Sequence, residues 1–498
     1  MTRWLLVVLV ACGDNGGTHG DAGADSTPVA DVVPECHDLA QTSPDPFATA
    51  SDLGPWVPGT LAGWDPEGRW LLTGVRTGGQ SSYHFARSGA QVIVDRVETA
   101  PGTIDDDVVF WHGKIVSNGR TYVMTKRVSN RAPDGSLRAE RVLCDGDNCR
   151  VCTAKMIRAT HNDAEGEGSG LALVGQLSGA SWDPGYTFNV RVLGTIAYLV
   201  RIDGLYMIDV SDPAHPVELG HYKRPTLGYS NDVKIVQANA KVYALIADTP
   251  VDVVDVTNPA APQLVTQIAE EAHTAFTESR DGKLYAYFGN YDGTCPIYDI
   301  TDPAAPTRLA RYQSPGTLVH DLSVDAGIAY LNAWDAGFLV VDYTTPTAPQ
   351  RLGTWAPTTA FSSHSNWTTH AGGRHIALHG DENYGAHLDI VDVDPASPTF
   401  MKPFATYKTR DFISIHNIMV FGTKAYFTYY QDGVRVLDVS NPSAPQVIGY
   451  YNTWDPQASY TSSAFFEGAV GIDVDLSRKL VFVADSPRGL LILQDSTP

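Results

Sequence analysis

Short apolar segments alternate with polar residues along most of the chain, at the period of two that is typical of β-strands. From about residue 187 these segments form a repeating unit with a recognisable marker. The marker is an Asp, an apolar residue, Ser or Thr, and then Pro-x-x-Pro. It occurs as DVSDPAHP at 209, DVTNPAAP at 255, DITDPAAP at 299, DYTTPTAP at 342 and DVSNPSAP at 438, with a version one residue shorter, DVDPASP, at 392.

Each marker follows one apolar strand and precedes another, and two further strands lie upstream of it. The unit is therefore four short antiparallel strands, with the prolines in a turn where a missing N–H costs nothing. Units of four strands and about 45 residues are typical of a β-propeller, whereas the repeats of a solenoid, the alternative, are usually shorter. Six units carry the marker and a seventh lacks it. This pattern predicts an all-β, seven-bladed β-propeller over residues 163–498.

The seventh unit, VGIDVDLSRKLVFVADSPRGLLIL, stops at its third strand. A segment ahead of the first unit, LALVGQL at 171–177, looks like a fourth strand without its own three predecessors. Because a closed ring needs every blade complete, we expect these two ends of the propeller to pair. Deleting residues 165–180 is then expected to abolish cooperative unfolding.

Residues 59–162 contain alternating strands and short turns but no marker. They predict a separate small β-domain, either a barrel or a sandwich, that loosely resembles lipocalin-like barrels. The Gly-rich segment AEGEGSG at 164 is expected to link this domain to the propeller.

The strands FLVVD, LDIVD and VRVLD, each ending at a marker Asp, resemble the LVIVD repeat family. The resemblance spans about residues 170–494. It implies a β-propeller in an exported bacterial or archaeal protein, and it implies little about chemistry because most members have no known function.

The chain begins with MTRWLLVVLVAC, a basic residue followed by a short apolar run that is typical of an export signal. Leu9, Val10, Ala11 and Cys12 resemble a bacterial lipobox, which implies a lipoprotein signal peptide at residues 1–11 and a lipid on Cys12. The alternative is a secretory signal in which Cys12 is incidental. Residues 12–58 are rich in Gly, Asp, Ala, Ser and Pro and predict a flexible acidic tether. We therefore expect an exported protein anchored by lipid to a bacterial membrane, on its periplasmic side or at the cell surface.

The net charge of −21 over 498 residues argues against binding to nucleic acid or to anionic lipid, which carry the same sign. Cys36, Cys144, Cys149 and Cys152 predict one or two disulfides in an exported chain. Metal ligation by the C-x4-C-x2-C spacing is the alternative. Cys295 lies in a strand pattern and is expected to be a buried free thiol.

Aligning the units places polar side chains at one repeat position, at the start of the strand that should line the central channel. In chain order the position holds Phe188, Asn231, His273, His320, His364, His416 and Val470, and the next position holds Asn189, Asp232, Thr274, Asp321, Ser365 and Asn417. We expect an arc of residues around one channel mouth. Three interpretations stay open: the side chains hydrogen-bond neighbouring blades, the four histidines bind a transition metal such as Zn, Cu or Fe, or the arc, with Asn231, Asp232, Asp321 and Asn417, recognises a polar ligand.

The loop between the second and third strands carries an Asp in every unit, for which turn chemistry is the ordinary explanation. These residues are Asp203, Asp248, Asp292, Asp335, Asp381, Asp432 and Asp485. The fifth unit has the longest such loop, HGDENYGAH. It adds Asp381, Glu382, Tyr384 and His387 near His364, which makes it the best local candidate for a metal or ligand site.

The sequence contains no phosphate-binding Gly loop, no nucleophile elbow and no H-E-x-x-H motif, so no catalytic residue is predicted. The favoured interpretation is a non-enzymatic binding or scaffolding module, anchored to the membrane by its N-terminal lipid, with a protein or glycan partner. The alternative is a metal-dependent oxidase or hydrolase with a His-lined site at the channel mouth.

Overall fold

The structure is a computed structural model that describes residues 35–41, 43, 45–73, 81–94, 101–117, 120–162, 164–179, 182, 185–225, 230–356, 362–383, 386–456 and 464–498. The described residues form two compact units, one within residues 1–160 together with 464 and 465, and the other within residues 161–456 together with 466–498. The predicted signal peptide and Cys12 lie outside the described residues. Over the described ranges we find no helix with the length and apolar character needed to span a membrane.

The first unit is an antiparallel barrel. Strand pairing follows chain order from β2 to β9, and β9 also pairs with β2, which closes eight strands into a ring. The barrel, rather than the sandwich, is therefore the form that the small β-domain takes. Strand β1 (Glu35–Ala40) precedes the barrel in the chain. The eight strands of the barrel are β2 (Gly68–Thr73), β3 (Ser81–Ser88), β4 (Gln91–Val94), β5 (Gly102–Ile104), β6 (Val109–Ser117), β7 (Arg120–Ser129), β8 (Leu137–Asp145) and β9 (Asn148–Arg158).

Strand β1 lies within residues 12–58, so the prediction that this whole segment is a flexible tether is wrong from residue 35 onward. β1 pairs antiparallel with β9, and a disulfide joins Cys36 to Cys152 across that pair. Further along, the buried guanidinium of Arg127 donates hydrogen bonds to three carbonyl oxygens around a 3₁₀ turn at Ala50–Leu53. A backbone ladder, a covalent bond and one arginine therefore hold this segment, and Phe47 adds a buried apolar contact with side chains of β8 and β9.

The predicted disulfides are confirmed, and the structure shows their pairing. Cys36 bonds with Cys152, and Cys144 bonds with Cys149 across the β8–β9 hairpin. Cys295 is a buried free thiol, as predicted. Both disulfides lie in the barrel, whose interior is filled by a cluster of buried apolar side chains that includes five aromatic residues: Trp64, Trp70, Tyr83, Phe85 and Trp111.

The second unit is a seven-bladed β-propeller, as predicted. It begins with β10 (Gly168–Ser169) and β11 (Leu171–Leu177), after which the blades follow in chain order. Blade 1 contains β12 (Thr187–Leu193), β13 (Ile196–Arg201), β14 (Gly204–Asp209) and β15 (Val217–Lys223), and blade 2 contains β16 (Asp232–Ala238), β17 (Lys241–Ala247), β18 (Val251–Asp255) and β19 (Gln263–Ile268). Blade 3 contains β20 (Ala272–Arg280), β21 (Lys283–Asn290), β22 (Thr294–Asp299) and β23 (Thr307–Gln313), and blade 4 contains β24 (Asp321–Asp325), β25 (Ile328–Asn332), β26 (Phe338–Asp342) and β27 (Gln350–Trp355). Blade 5 contains β28 (Ser363–Ala371), β29 (Arg374–Asp381), β30 (Leu388–Asp392) and β31 (Pro403–Tyr407), and blade 6 contains β32 (Ile418–Phe421), β33 (Lys424–Thr428), β34 (Val434–Asp438) and β35 (Gln446–Tyr451). Blade 7 contains β36 (Ala469–Asp475), β37 (Leu480–Asp485) and β38 (Gly489–Asp495).

The ring closes as the sequence predicted. β11 pairs antiparallel with β38 and supplies the fourth strand of blade 7. The segment expected to be a linker is instead attached to blade 6, because β10 pairs with β35 and Glu165 forms an ion pair with Arg435. The first strands of successive blades contact one another around the whole circle, including β36 with β12, and so line the channel.

The marker builds the contact between blades. Its Asp accepts a hydrogen bond from the backbone N–H two residues later, which forms a tight turn after the third strand. The turn then packs against the fourth strand of the preceding blade, at a residue with little or no side chain. A Cβ on Gly175 or Gly220 would fall well inside contact distance of the carbonyl oxygen of Pro213 or Pro259, respectively. The full set of marker residues with this hydrogen bond is Asp209, Asp255, Asp299, Asp342, Asp392, Asp438 and, in blade 7, Asp495.

Candidate metal centre at the channel mouth

Four imidazoles form a continuous row across blades 3 to 6. His273 and His364 lie near the starts of β20 and β28, and His320 and His416 lie just before β24 and β32. The ring centroids of successive histidines are 3.8, 4.1 and 4.3 Å apart. The structure therefore brings together the four residues that the aligned repeat position singled out.

The two ends of the row are bonded to the next blade. Nδ1 of His273 lies 2.8 Å from the carbonyl oxygen of His320, and Nδ1 of His416 lies 2.8 Å from that of Val470. Since a carbonyl oxygen can only accept, each Nδ1 carries the proton, and each neutral ring presents the lone pair of Nε2. These two histidines hold adjacent blades together, as the first interpretation expected.

The middle of the row differs. His364 is 2% exposed, and neither of its ring nitrogens has a partner at hydrogen-bond geometry among the described residues. The carbonyl oxygen of His364 lies toward the ring of His320, and the carbonyl oxygen of His416 lies toward the ring of His364. Neither oxygen reaches hydrogen-bond geometry with the Nδ1 atom of the ring that it faces. Buried polar atoms usually find partners, so two unsatisfied nitrogens on one ring call for an explanation.

A carboxylate lies beside these nitrogens. Oε2 of Glu382 is 3.8 Å from Nε2 of His364, and Oε1 is 4.0 Å from Nε2 of His416. His320, His364 and Glu382 are all buried, and each offers one ligand atom such that the three atoms lie within 4.8 Å of one another. A tetrahedral zinc ion with ligands at 2.0–2.2 Å holds them about 3.3–3.6 Å apart. A small inward movement would therefore bring the three atoms into coordinating positions.

The electrostatics fit a ligand set. Burial lowers the pKa of His273 to about 4 and of His416 to about 3, and it holds the pKa values of His320 and His364 well below the usual range. All four rings are thus neutral at pH 7, the form in which imidazole binds metals. Burial also raises the pKa of Glu382 to about 8. A bound cation would offset the cost of ionising this carboxylate.

Four of the six polar residues at the following repeat position, Asn189, Asp232, Thr274 and Asp321, form a network of their own. Asp232 accepts hydrogen bonds from Asn189, Thr274 and Lys234, and Thr274 also contacts Asp321 at 3.0 Å. Burial, together with the charge of Asp232, raises the pKa of Asp321 to about 6. These residues join blades 1 to 4 by hydrogen bonds.

The two asparagines predicted to bind a ligand, Asn231 and Asn417, have different surroundings. Asn231 donates a hydrogen bond to the hydroxyl of Tyr291, at 2.6 Å. Asn417 lines a channel cavity of 160 Å³ together with Arg191, Lys234 and Asp321. Neither amide lies in the cluster of His320, His364 and Glu382.

The long loop of blade 5 contributes to the cluster through one residue, Glu382. Asp381 belongs to a different group of side chains, with His379 and Asp389. His387 is half-buried, and its pKa is lowered by burial and by the charge of Lys408. Tyr384 lies outside the described residues.

Sequence reasoning missed two aromatic neighbours of the cluster. The hydroxyl of Tyr430 donates a hydrogen bond to Glu382 and so orients the carboxylate. The Trp334 ring stacks on His320, with centroids 4.8 Å apart and planes at 21°. Each lies in the loop after the second strand of its blade: Trp334 stands one residue before Asp335, and Tyr430 one residue before Gln431. No motif marks that position as one that faces the mouth.

Comparisons with known proteins support the repeat. Residues 184–224, 228–269 and 414–453 match the LVIVD repeat, and they correspond to blades 1, 2 and 6. The chain therefore contains LVIVD repeats. A search of curated proteins finds no match.

A comparison with solved structures finds, among others, the computationally designed Ika8 protein and U3-55K. The first has a TM-score of 0.44 at 11% identity, covering 64% of this chain and 98% of that one. The second has a TM-score of 0.49 at 7% identity, covering 65% and 98%. The assignment of a seven-bladed propeller rests on the strand pairing of this chain, not on these likenesses.

Proposed function

We propose that this chain is a β-propeller binding module that holds a transition-metal ion at its channel mouth, with His320, His364 and Glu382 as ligands. The observation that carries the proposal is His364, whose two ring nitrogens are buried and lack hydrogen-bond partners among the described residues. An apo site leaves those polar atoms desolvated at a cost of about 1–3 kcal/mol. A metal ion would satisfy the nitrogen that faces Glu382.

The ligand set supports a metal of the zinc class. Two neutral imidazoles and one carboxylate suit Zn, Cu or Fe better than Mg or Ca, which prefer oxygen ligands. Three protein ligands leave one position of a tetrahedral ion open. Nε2 of His416, whose ring is oriented by the bond of Nδ1 to Val470, is the nearest candidate for that position.

Location and partners are part of the same proposal. Export is supported by the apolar N-terminal run and by the two disulfides of the barrel, and lipid anchoring by the resemblance of residues 9–12 to a lipobox. A protein or glycan would bind at the mouth, with the metal as one of its contacts. The net charge of −21 argues against nucleic acid as the partner.

The alternative hypothesis is a metal-dependent oxidase or hydrolase at the same mouth. A fourth position that His416 leaves free would favour it, because catalytic zinc sites keep such a position for water or substrate. The burial of the three ligands favours binding without turnover, since they are only 2–9% exposed.

Cobalt binding tests the proposal. Protein purified without a metal-affinity step and stripped with a chelator is titrated with Co²⁺, whose visible absorption reports nitrogen ligands in a four-coordinate site. We expect the wild type to show this absorption and the His320→Ala/His364→Ala double variant to lose one equivalent of bound metal. Glu382→Gln, which keeps the acceptor for Tyr430, should weaken binding at least tenfold.

The matched control is His370→Ala/His375→Ala, which removes two stacked imidazoles from the same blade. It should bind cobalt as the wild type does. Equal cobalt binding by the His320/His364 double variant and the wild type would refute the metal centre and remove the basis of the enzyme hypothesis. If metal is retained, oxidase and hydrolase assays of the loaded protein separate the binding module from the enzyme.

A further inference from the structure

We infer that blade 5 carries a second divalent-cation site, formed by His379, Asp381 and Asp389, which is separate from the mouth and richer in oxygen ligands. The ligand atoms of these three residues lie within 4.8 Å of one another. The inference does not depend on the metal centre at the mouth.

Strand geometry places the three side chains together. His379 and Asp381 are two residues apart in β29, so they share one face of the sheet. Asp389 in β30 pairs directly with His379 across the two strands. Glu382, the next residue after Asp381, turns to the other side and contacts His364. One strand end thus supplies each of the two sites with a carboxylate.

The histidine is fixed in place and has a nitrogen to spare. His379 is fully buried, and its Nε2 lies 2.8 Å from Oγ of Ser363. Ser363 in turn accepts a hydrogen bond from the Asn332 side chain at 3.1 Å. The rings of Phe338 and Trp355, from blade 4, pack against the imidazole at 5.1 and 5.2 Å. Nδ1 has no hydrogen-bond partner among the described residues.

This surrounding shell resembles those that orient metal-binding histidines. In such sites one ring nitrogen is held by a hydrogen bond, which fixes the ring and leaves the other nitrogen for the ion. Here the Asn332–Ser363 pair holds Nε2, and Nδ1 is the nitrogen that remains. An unpartnered nitrogen on a fully buried ring beside two carboxylates is accounted for by a cation among them.

The charges match a divalent ion. Two carboxylates and a neutral imidazole carry a net charge of −2, which one divalent cation neutralises. Burial alone raises the pKa of Asp389 to about 6 and lowers that of His379 to about 3, so the histidine does not supply the compensating charge itself. Asp389 is the partly exposed member of the group, and it offers the ion a route from solvent.

The ligand chemistry distinguishes the two sites. The mouth offers two or three imidazoles to one carboxylate, which suits Zn, Cu or Fe. The second site offers one imidazole to two carboxylates, a set in which Mn²⁺ competes well. We therefore expect Mn²⁺ to prefer the second site.

The test is a Mn²⁺ titration of the full chain after chelator treatment, with free Mn²⁺ read from its electron paramagnetic resonance signal. The wild type and the His320→Ala/His364→Ala double variant should each bind one Mn²⁺ at this site. Asp389→Asn should bind it at least tenfold more weakly, because it removes a charge while keeping the shape of the side chain. His379→Gln is the second variant and is measured alongside it, with circular dichroism to show that each variant is folded.

Asp485→Asn is the matched control. Asp485 is a fully buried carboxylate at the repeat position of Asp381, but in blade 7 Val483 stands where blade 5 has His379. This variant should bind Mn²⁺ as the wild type does. The inference is overturned if Asp389→Asn and His379→Gln, both folded, bind Mn²⁺ with wild-type affinity. It is also overturned if the His320/His364 double variant binds no Mn²⁺, a result that would assign all binding to the mouth.

Discussion

Replacing Gly175 by Ala tests the closure of the propeller through a single methyl group. Gly175 lies in β11, the strand that completes blade 7, and faces the carbonyl oxygen of Pro213 in the marker turn of blade 1. A Cβ placed on the glycine would lie far inside contact distance of that oxygen and 3.0 Å from the carbonyl carbon. Because the obstacle is backbone, neither a side-chain rotation nor a second substitution relieves it.

The size of the effect follows from two opposing terms. Overpacking of this kind typically costs about 1–3 kcal/mol, whereas Gly to Ala reduces the entropy of the unfolded chain and stabilises by about 0.4–1 kcal/mol. The net expectation is a loss of about 1–2 kcal/mol in the free energy of unfolding. With a urea m-value of about 3 kcal/mol/M, the midpoint falls by about 0.3–0.7 M.

Urea unfolding of the full chain, followed by tryptophan fluorescence and circular dichroism, measures this shift. Both disulfides lie in the barrel, so a reducing agent moves the barrel transition and identifies the propeller transition as the other one. Gly166→Ala is the control, because a Cβ there meets no described heavy atom within 4 Å. If Gly175→Ala unfolds at the same midpoint as Gly166→Ala, β11 does not pack against blade 1 and the closure described above is wrong.

Three further predictions concern buried polar groups. Arg127→Met should destabilise the barrel by about 3–5 kcal/mol in the same urea assay, because it removes two hydrogen bonds from the buried carboxylate of Glu140 and the donor of three carbonyl oxygens. Arg138→Met, which removes one hydrogen bond from the same carboxylate at a half-exposed arginine, should cost less. Burial raises the folded-state pKa of Asp485 to about 6, so stability should fall by up to about 3 kcal/mol between pH 4 and pH 7, and a flat profile for the wild type would contradict this. Asp485→Asn should make that decline smaller, and the part that remains is expected from other buried carboxyls with raised pKa values, such as Asp321 and Asp389. Tyr430→Phe should weaken cobalt binding at the mouth about 10–100-fold, because it removes the hydrogen bond that orients Glu382; unchanged affinity would exclude an orienting role.

The fold was largely predictable because its information is local. In the marker turn, Asp209 and its counterparts accept hydrogen bonds from the backbone two residues later, so the pattern can be recognised in each repeat that carries the marker. The missing strand of blade 7 could be identified because a ring has to be complete. Strand β1 could not, since what holds it is a ladder to β9 and the Cys36–Cys152 bond, both with partners more than a hundred residues away.

Of the two candidate sites, the one at the channel mouth could be predicted from the sequence and the second one in blade 5 could not. His320 and His364 stand at one repeat position, so aligning the units was enough to group them. The second site could not be found like this, because His379 and Asp389 meet only through the pairing of β29 with β30. In the sequence His379 follows the apolar run Ile376–Leu378, and a histidine in such a setting is more often a core residue than a ligand.

The row of histidines shows how one repeat position can serve two purposes. At its ends, His273 and His416 each donate Nδ1–H to the next blade, and this bond is all that the repeated geometry requires. In the middle, His364 lies in the same backbone position but does not form the bond, and Glu382 from the longer loop of its own blade approaches instead. The departure from the repeat therefore occurs where an acidic side chain has been added. A ring-stitching role explains the ends of the row, and the metal ion proposed above would satisfy the nitrogen of His364 that faces Glu382.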